Sequence, residues 1–218
     1  MSAPLVLHEL TGSPNSVKVR IALGHMGLEY ERRPVDFESF PGDRSEVVAI
    51  SRQPRVPVLQ HGDAVIPDSA AILRYLSANF PESPSLYSED YMEQGEIEQW
   101  EAWGRAELSP SVGMIFGECM SPEPNLDNCK QASAMIHEIT GKLESELEGR
   151  TYLVGDRVTA ADIALAPVVK LAAMSDHAAT TGPISAFFHA NFQLGDGRDR
   201  TREWMARLMK HDAANPYD

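Results

Sequence analysis

TGSPNSVKVRIAL, residues 11–23, decides how the N-terminal half is read. Small and hydroxylated residues surround a proline, and a helical apolar pattern begins at once. Just before it, PLVLHEL at residues 4–10 is a short apolar run of β character. Strand, polar loop and helix therefore follow each other directly. Two serines, Ser13 and Ser16, stand at the mouth of that helix. Serine is a preferred helix cap. The same place is where an anion, a thiolate included, is best held, because free N–H groups and the positive end of the dipole meet there. The residue types leave both roles and both serines open.

Outward from this stretch, the helical pattern runs from Val17 to Met26, and Gly27 stops it as a C′ glycine would. LEYERRPV (28–35) alternates and predicts a second strand, and DRSEVVAI (43–50) a short helix. VPVLQHGDAVI (56–66) is two short β runs about a turn at His61-Gly62-Asp63. DSAAILRYLSANF (68–80) is a helix with Asp68 near its start. The order is that of an α/β layer over residues 1–80. FPESPSLYS (80–88) is rich in Pro and Ser and reads as a linker. Everything after it, residues 89–218, reads as helical.

In that part, residues 89–120 predict one long helix, bent near Gly104 and Pro110. Residues 127–149 predict another, ended by Gly149, and 158–174 and 201–212 two more. Residues 182–197, rich in Gly and aromatics, receive no assignment. The sharpest local signal is Thr159 followed by Asp162, a capping box with Asp in the place of Glu. Val158 and Ile163 occupy the two staple positions. The pattern is structural and seeds the helical part.

A net charge of −13 argues against nucleic acid, which needs clustered Lys and Arg. At 43% apolar and 23% charged, the chain reads as globular. Cys119 and Cys129 lack metal-ligand spacing and are read as small buried hydrophobes in a reducing compartment. MSAPLVLHELTG lacks the basic start and long apolar run of a signal peptide, and no segment is apolar enough to span a bilayer. The expectation is a cytoplasmic protein without membrane or metal.

Five motifs in order carry a resemblance: SPNSVKVRIAL (13–23), RVPVL (55–59), PDSAAILRYL (67–76), YLVGDRVTAADIAL (152–165) and, more weakly, REWMARLMKHDAA (202–214). Together they resemble a glutathione transferase of the cytosolic, serine-type (phi/tau/theta/zeta-like) kind, over nearly the whole chain. The resemblance implies an N-terminal thioredoxin-like domain, an all-α helical bundle after it, and a homodimer. It implies an enzyme that conjugates reduced glutathione, its substrate, to a small hydrophobic electrophile, a detoxification chemistry.

The resemblance also implies residue roles. Ser13 is the catalytic serine that donates to the glutathione sulfur. Ser16, one turn further in, is the runner-up, its hydroxyl expected to bond back to a carbonyl. Val56-Pro57 is the family's cis-proline turn, and the Val56 backbone pairs with the cysteinyl part of glutathione. Asp68 and Ser69 hold the γ-glutamyl end. Arg55, or else Arg44, forks onto the glycyl carboxylate. Plant-like members carry a His-Lys pair where this chain has Gly42-Asp43. The electrophile site is expected between the domains, lined by Met114, Phe116 and Met120, with Ile115, Phe187, Phe188 and Phe192 as further candidates. Trp100 and Trp103 are read as packing residues, and the acidic run Glu89 to Glu107 as a solvated face. Other readings are a glutathione-dependent isomerase, dehalogenase or ether-cleaving relative, and a non-catalytic ligand-binding protein of the same fold.

Overall fold

The computed structural model describes residues 3–35 and 43–218. The chain divides into two compact units. The first runs to Tyr87 and takes back a short segment, His211–Ala214. The second comprises Ser88–Lys210 and Asn215–Asp218.

The first unit contains β1 (Leu5–Glu9), α1 (Pro14–His25), β2 (Tyr30–Pro34), α2 (Ser45–Ser51), β3 (Val58–His61), β4 (Ala64–Pro67) and α3 (Ser69–Asn79). This is the order the periodicities predict. Pro14 opens α1, where its fixed φ suits a helix and no N–H is required. At the other end the Leu28 N–H reaches the Leu23 carbonyl at 2.9 Å and the Gly27 N–H reaches Gly24 at 3.2 Å. Gly27 sits at φ +67°, so glycine closes the helix without a Cβ penalty. The strands form one mixed, thioredoxin-like sheet in the order β2-β1-β3-β4, with β1 parallel to β2 and antiparallel to β3. The β3–β4 hairpin closes with His61 opposite Ala64, leaving Gly62, at φ +59°, and Asp63 as a two-residue turn. Leu5, Leu7, Val58 and Leu59 of the sheet, Val17, Val19 and Ile21 of α1, and Ile72, Leu73 and Leu76 of α3 are buried and form this unit's core.

The second unit is helical: α4 (Tyr91–Trp103), α5 (Ser109–Cys119), α6 (Leu126–Glu146), α7 (Ala160–Lys170), α8 (Pro183–Asn191) and α9 (Asp199–Met209). The single long helix expected over 89–120 is interrupted by a π-turn, Gly104–Leu108, ahead of α5. Gly104 lies against α7, and a Cβ there would come within 3.0 Å of Leu165 Cδ1. Pro110 falls in the first turn of α5, where it costs no hydrogen bond. The unassigned segment 182–197 holds α8, which buries Phe188. In the acidic run, Glu101 is buried, a departure from the solvated face expected there. Cys129 is buried and Cys119 half-buried, and burial pushes both thiols up.

α7 is apolar almost all round and lies in the core of this unit. Its one carboxylate, Asp162, is buried and meets four donors. The Thr159 N–H at 3.0 Å and its hydroxyl at 3.2 Å reach Oδ2, and the Asp162 N–H donates back to the Thr159 side chain to complete the capping box. The Leu153 N–H at 3.0 Å and the Trp204 indole N–H at 2.8 Å reach Oδ1. Burial pushes this carboxyl up, against the pull of those donors. A second carboxylate works across elements. Glu144 of α6 accepts from the Thr201 N–H and hydroxyl at 3.0 and 2.8 Å and from the Arg200 N–H at 3.1 Å. It thereby caps α9, whose own N-cap residue Arg198 makes no side-chain cap bond.

Two stability predictions follow from these carboxylates. Asp162→Asn turns an amide toward the Thr159 N–H, leaves a buried donor facing a donor, and should cost roughly 2 kcal/mol or more. Urea denaturation followed by tryptophan fluorescence measures it, and a midpoint equal to wild type would refute it. For Glu144, partial burial pushes the carboxyl up, but the bonds from Thr201 and Arg200 outweigh this and hold it below the ordinary glutamate range. A depressed folded value means its contribution is present above the ordinary carboxylate range and is lost as pH falls through the folded value. Glu144→Gln should therefore flatten the acid limb of the stability–pH curve, read as thermal midpoints across an acid series.

Candidate functional site

The sheet register decides which loops can meet. His8 of β1 pairs with Val58 of β3, and Val58 pairs with Pro67 of β4. The loop after β1, the turn before β3 and the start of α3 after β4 therefore leave the sheet at one end. Ser13, Val56-Pro57 and Asp68-Ser69 lie on those three segments. Adjacent strands lie about 4.8 Å apart, so the three anchor points span on the order of 10 Å.

Ser13 is the N-cap of α1, half-buried, at φ −75° and ψ 125°. Its N–H donates to the Leu10 carbonyl at 3.0 Å and its carbonyl accepts from Val17 at 3.0 Å. Its hydroxyl makes no cap hydrogen bond, so the cap role is not taken up. Ser16 is buried, and its Oγ accepts from the Leu10 N–H at 3.1 Å. The sequence pattern predicts a bond from Ser16 to a carbonyl. The partner is instead an N–H of the preceding loop, because Leu10 would otherwise bury an unpaired donor.

The Val56-Pro57 peptide is cis, and Pro57 is buried while Val56 is half-buried. Before it, the Gln53 side chain grips Arg55 on both sides. Gln53 Oε1 accepts from the Arg55 N–H at 2.8 Å, and Gln53 Nε2 donates to the Arg55 carbonyl at 2.7 Å. Arg55 itself is exposed, with its Nε 3.4 Å from the same Gln53 oxygen. Arg44 Nη1 donates to the Pro54 carbonyl at 2.8 Å, so both candidate cations flank the same turn. Asp43 accepts from the Ser45 N–H at 2.8 Å, which holds its carboxyl low. Gly42 lies outside the described residues.

Asp68 has an unusual backbone, φ +78° and ψ 129°, and is exposed. Its Oδ1 accepts from the Ala70 and Ala71 N–H groups at 2.9 and 3.1 Å. It caps α3, and takes up two donors that an incoming carboxylate would otherwise find there. Ser69, half-buried, begins the helix.

In the second unit, Met114 and Phe116 of α5 are half-buried and Met120, just past its end, is exposed. Ile115, Phe188 and Phe192 are buried. Trp100 and Trp103 meet edge to face at 5.2 Å, and Lys142 lies over both rings at 4.9 and 5.0 Å. Among the described residues no cluster of His, Cys, Asp or Glu could hold a metal ion. No described helix is long and apolar enough to cross a membrane.

Two residues of the first unit escape the sequence reading. Gln53 has no pattern of its own. Arg20 has one in hindsight: a lone charge inside the apolar run VKVRIAL must be paired if buried. It is buried and paired with Glu9 and Asp212.

The fold and the shared loop end define a glutathione-transferase-like protein. The chain matches the family "Glutathione S-transferase, N-terminal domain" over residues 7–84 and "Glutathione S-transferase, C-terminal domain" over 109–212. It is 33% identical to glutathione S-transferase 1 of Dianthus caryophyllus over 170 residues, covering 75% of each chain. It therefore belongs to the glutathione S-transferase family. It is also 29% identical over 162 residues to elongation factor 1-gamma 2 of Oryza sativa subsp. japonica, of which it spans 38%. In fold it is similar to a glutathione S-transferase from Rhodospirillum rubrum F11, with TM-score 0.77, 23% identity, and 97% and 90% of the two chains covered. Ure2p in complex with glutathione gives 0.75 at 20% identity, with 98% and 91% covered.

Asp68 offers a direct test of the cap. Asp68→Ala loses the cap and keeps a Cβ at positive φ, and should destabilise by about 1 kcal/mol. Asp68→Gly loses the same bonds but accepts that backbone freely, and should cost only a few tenths. Urea midpoints of the two variants compare them, and equal losses would overturn the account.

Proposed function

We propose that this chain is a glutathione transferase that binds reduced glutathione in its first unit and adds the thiolate to an electrophilic carbon of a small hydrophobic molecule. What carries the reading is the shared sheet end, with an uncommitted Ser13 hydroxyl at the start of α1. A span on the order of 10 Å suits an extended tripeptide. Ser13 donates to the sulfur, and the α1 terminus adds positive potential, so the thiolate gains over the thiol. The Val56 backbone ahead of the cis proline pairs with the cysteinyl part. Asp68 and Ser69 take the γ-glutamyl end, and Arg55 or Arg44 the glycyl carboxylate. Met114, Phe116 and Met120 supply apolar surface for the electrophile. A cytoplasmic homodimer is part of the same proposal.

One observation favours a second reading, a glutathione-fold protein that binds without turnover. Asp68 Oδ1 already takes the Ala70 and Ala71 N–H groups, so the γ-glutamyl end finds fewer free donors at this helix start than the motif suggests. Relatives named as elongation factor 1-gamma are compatible with it. Retention on immobilised glutathione together with turnover of an activated aromatic chloride separates the two. Under the first reading Ser13→Ala is still retained, loses about tenfold to a hundredfold in kcat, and shows a raised apparent pKa for the bound thiol. Turnover equal to wild type would move the role away from Ser13. Retention of the wild type without turnover would favour the second reading.

A further inference from the structure

A buried charge cluster lies directly behind the Ser13 loop. Arg20 of α1 is completely buried, and its guanidinium is shared among three segments. Nε and Nη2 fork onto Asp212, each at 2.9 Å. Nη1 donates to Glu9 at the end of β1. Nη2 also donates to the Thr11 carbonyl at 3.0 Å. Glu9 is held a second time by Arg32 of β2, whose Nε reaches Oε1 at 2.6 Å, and Arg32 Nη2 lies 3.4 Å from the Thr11 hydroxyl. The cluster balances two carboxylates against two guanidinium groups. Its other titratable neighbours are Tyr30 on β2, His25 on α1 and His211 on the returning segment.

The segment bearing Asp212 is seated on α1 by shape as well as charge. A Cβ on Gly24 would come within 1.9 Å of the His211 carbonyl oxygen, so only glycine permits this approach. The rings of His25 and His211 meet edge to face at 5.0 Å. Asp212 Oδ1 also accepts from the Ala214 N–H at 3.0 Å, which shapes the segment around its own carboxylate.

Buried ion clusters are poor stabilisers, since well-packed apolar residues of similar volume do as well or better. What a forked guanidinium adds is orientation. Here the oriented object is the short loop between Glu9 and Ser13, which has Thr11 pinned by Arg20 and Leu10 pinned by Ser16. We propose that Asp212, through Arg20, is a positioning residue for the Ser13 loop: it sets where the Ser13 hydroxyl points and so how well a bound thiolate is stabilised. The inference rests on the glutathione transferase reading above and adds a residue that the site's own loops do not contain.

The test compares wild type with Asp212→Asn, Asp212→Glu, Gly24→Ala and Arg32→Gln in the full chain. The readouts are kcat and KM for glutathione across pH, with the activated aromatic chloride as probe. Asp212→Asn should lower kcat at neutral pH by about tenfold or more, since small misplacements of a positioned group cost that much. Its KM for glutathione should stay within about twofold. The apparent pKa of the bound thiol should rise, and turnover should recover at higher pH, where the thiolate forms without help. Asp212→Glu should restore part of the profile. Should Asp212→Asn not fold, Gly24→Ala displaces His211 without touching a charge, and the half-exposed Arg32 can be changed without stranding a buried cation. Each should show the same shift in profile. If these variants only lower the melting temperature and keep the wild-type pH profile, the cluster is scaffold and the inference falls alone. If the wild type itself neither binds nor turns over glutathione, the reading beneath it falls as well.

Discussion

The register of β3 between β1 and β4 is the constraint on which the first unit depends. Val58 faces His8 on one side and Pro67 on the other, which brings three loops to one end of the sheet. A slip of one residue would turn Val58 and Leu59 to the wrong faces and separate the loops along the strands. Two features oppose such a slip. The two-residue turn at Gly62-Asp63 fixes β4 against β3, and the part-buried contact of His8 Nε2 with Gln60 Oε1 at 2.6 Å ties β1 to β3. The register is thus held by a backbone turn and a polar bond, not by apolar pattern alone.

The second unit depends in the same way on one carboxylate. Asp162 is placed by its own helix through Thr159, but its other oxygen serves Leu153 and Trp204, which come from different stretches of chain. A group that began as a local cap has become the point where three segments agree on their positions. Burying it carries a desolvation cost that only complete pairing offsets. Glu144, partly buried, repeats the device where it caps a helix whose own N-cap residue makes no side-chain cap bond.

The candidate site shows hydroxyls and carboxylates choosing between local and external partners. Ser13 leaves its hydroxyl uncommitted, whereas Asp68 commits its carboxylate to its own helix. At Asp68 the carboxylate takes the second and third N–H groups of α3, those of Ala70 and Ala71, whereas the Ser13 hydroxyl takes neither of the equivalent groups of α1.

The amino-acid sequence by itself determined the element order, the helix ends at Gly27 and Thr159, the hairpin at Gly62 and the place of the Ser13 and Asp68 motifs. Each of these is a local matter of periodicity, capping or backbone freedom, readable over a few residues. It left α8 unassigned, because that segment has mixed composition, and it placed a bend near Gly104 without showing its form, a π-turn whose glycine lies against Leu165 on a distant helix. The tertiary structure alone decided that Glu101 is buried, that Ser16 serves Leu10, and that Arg20 meets Glu9 and Asp212. The partners of Arg20 lie 11 and 192 residues away, and no local pattern carries that pairing. A buried charge tells the reader that partners exist; only the folded chain says which ones.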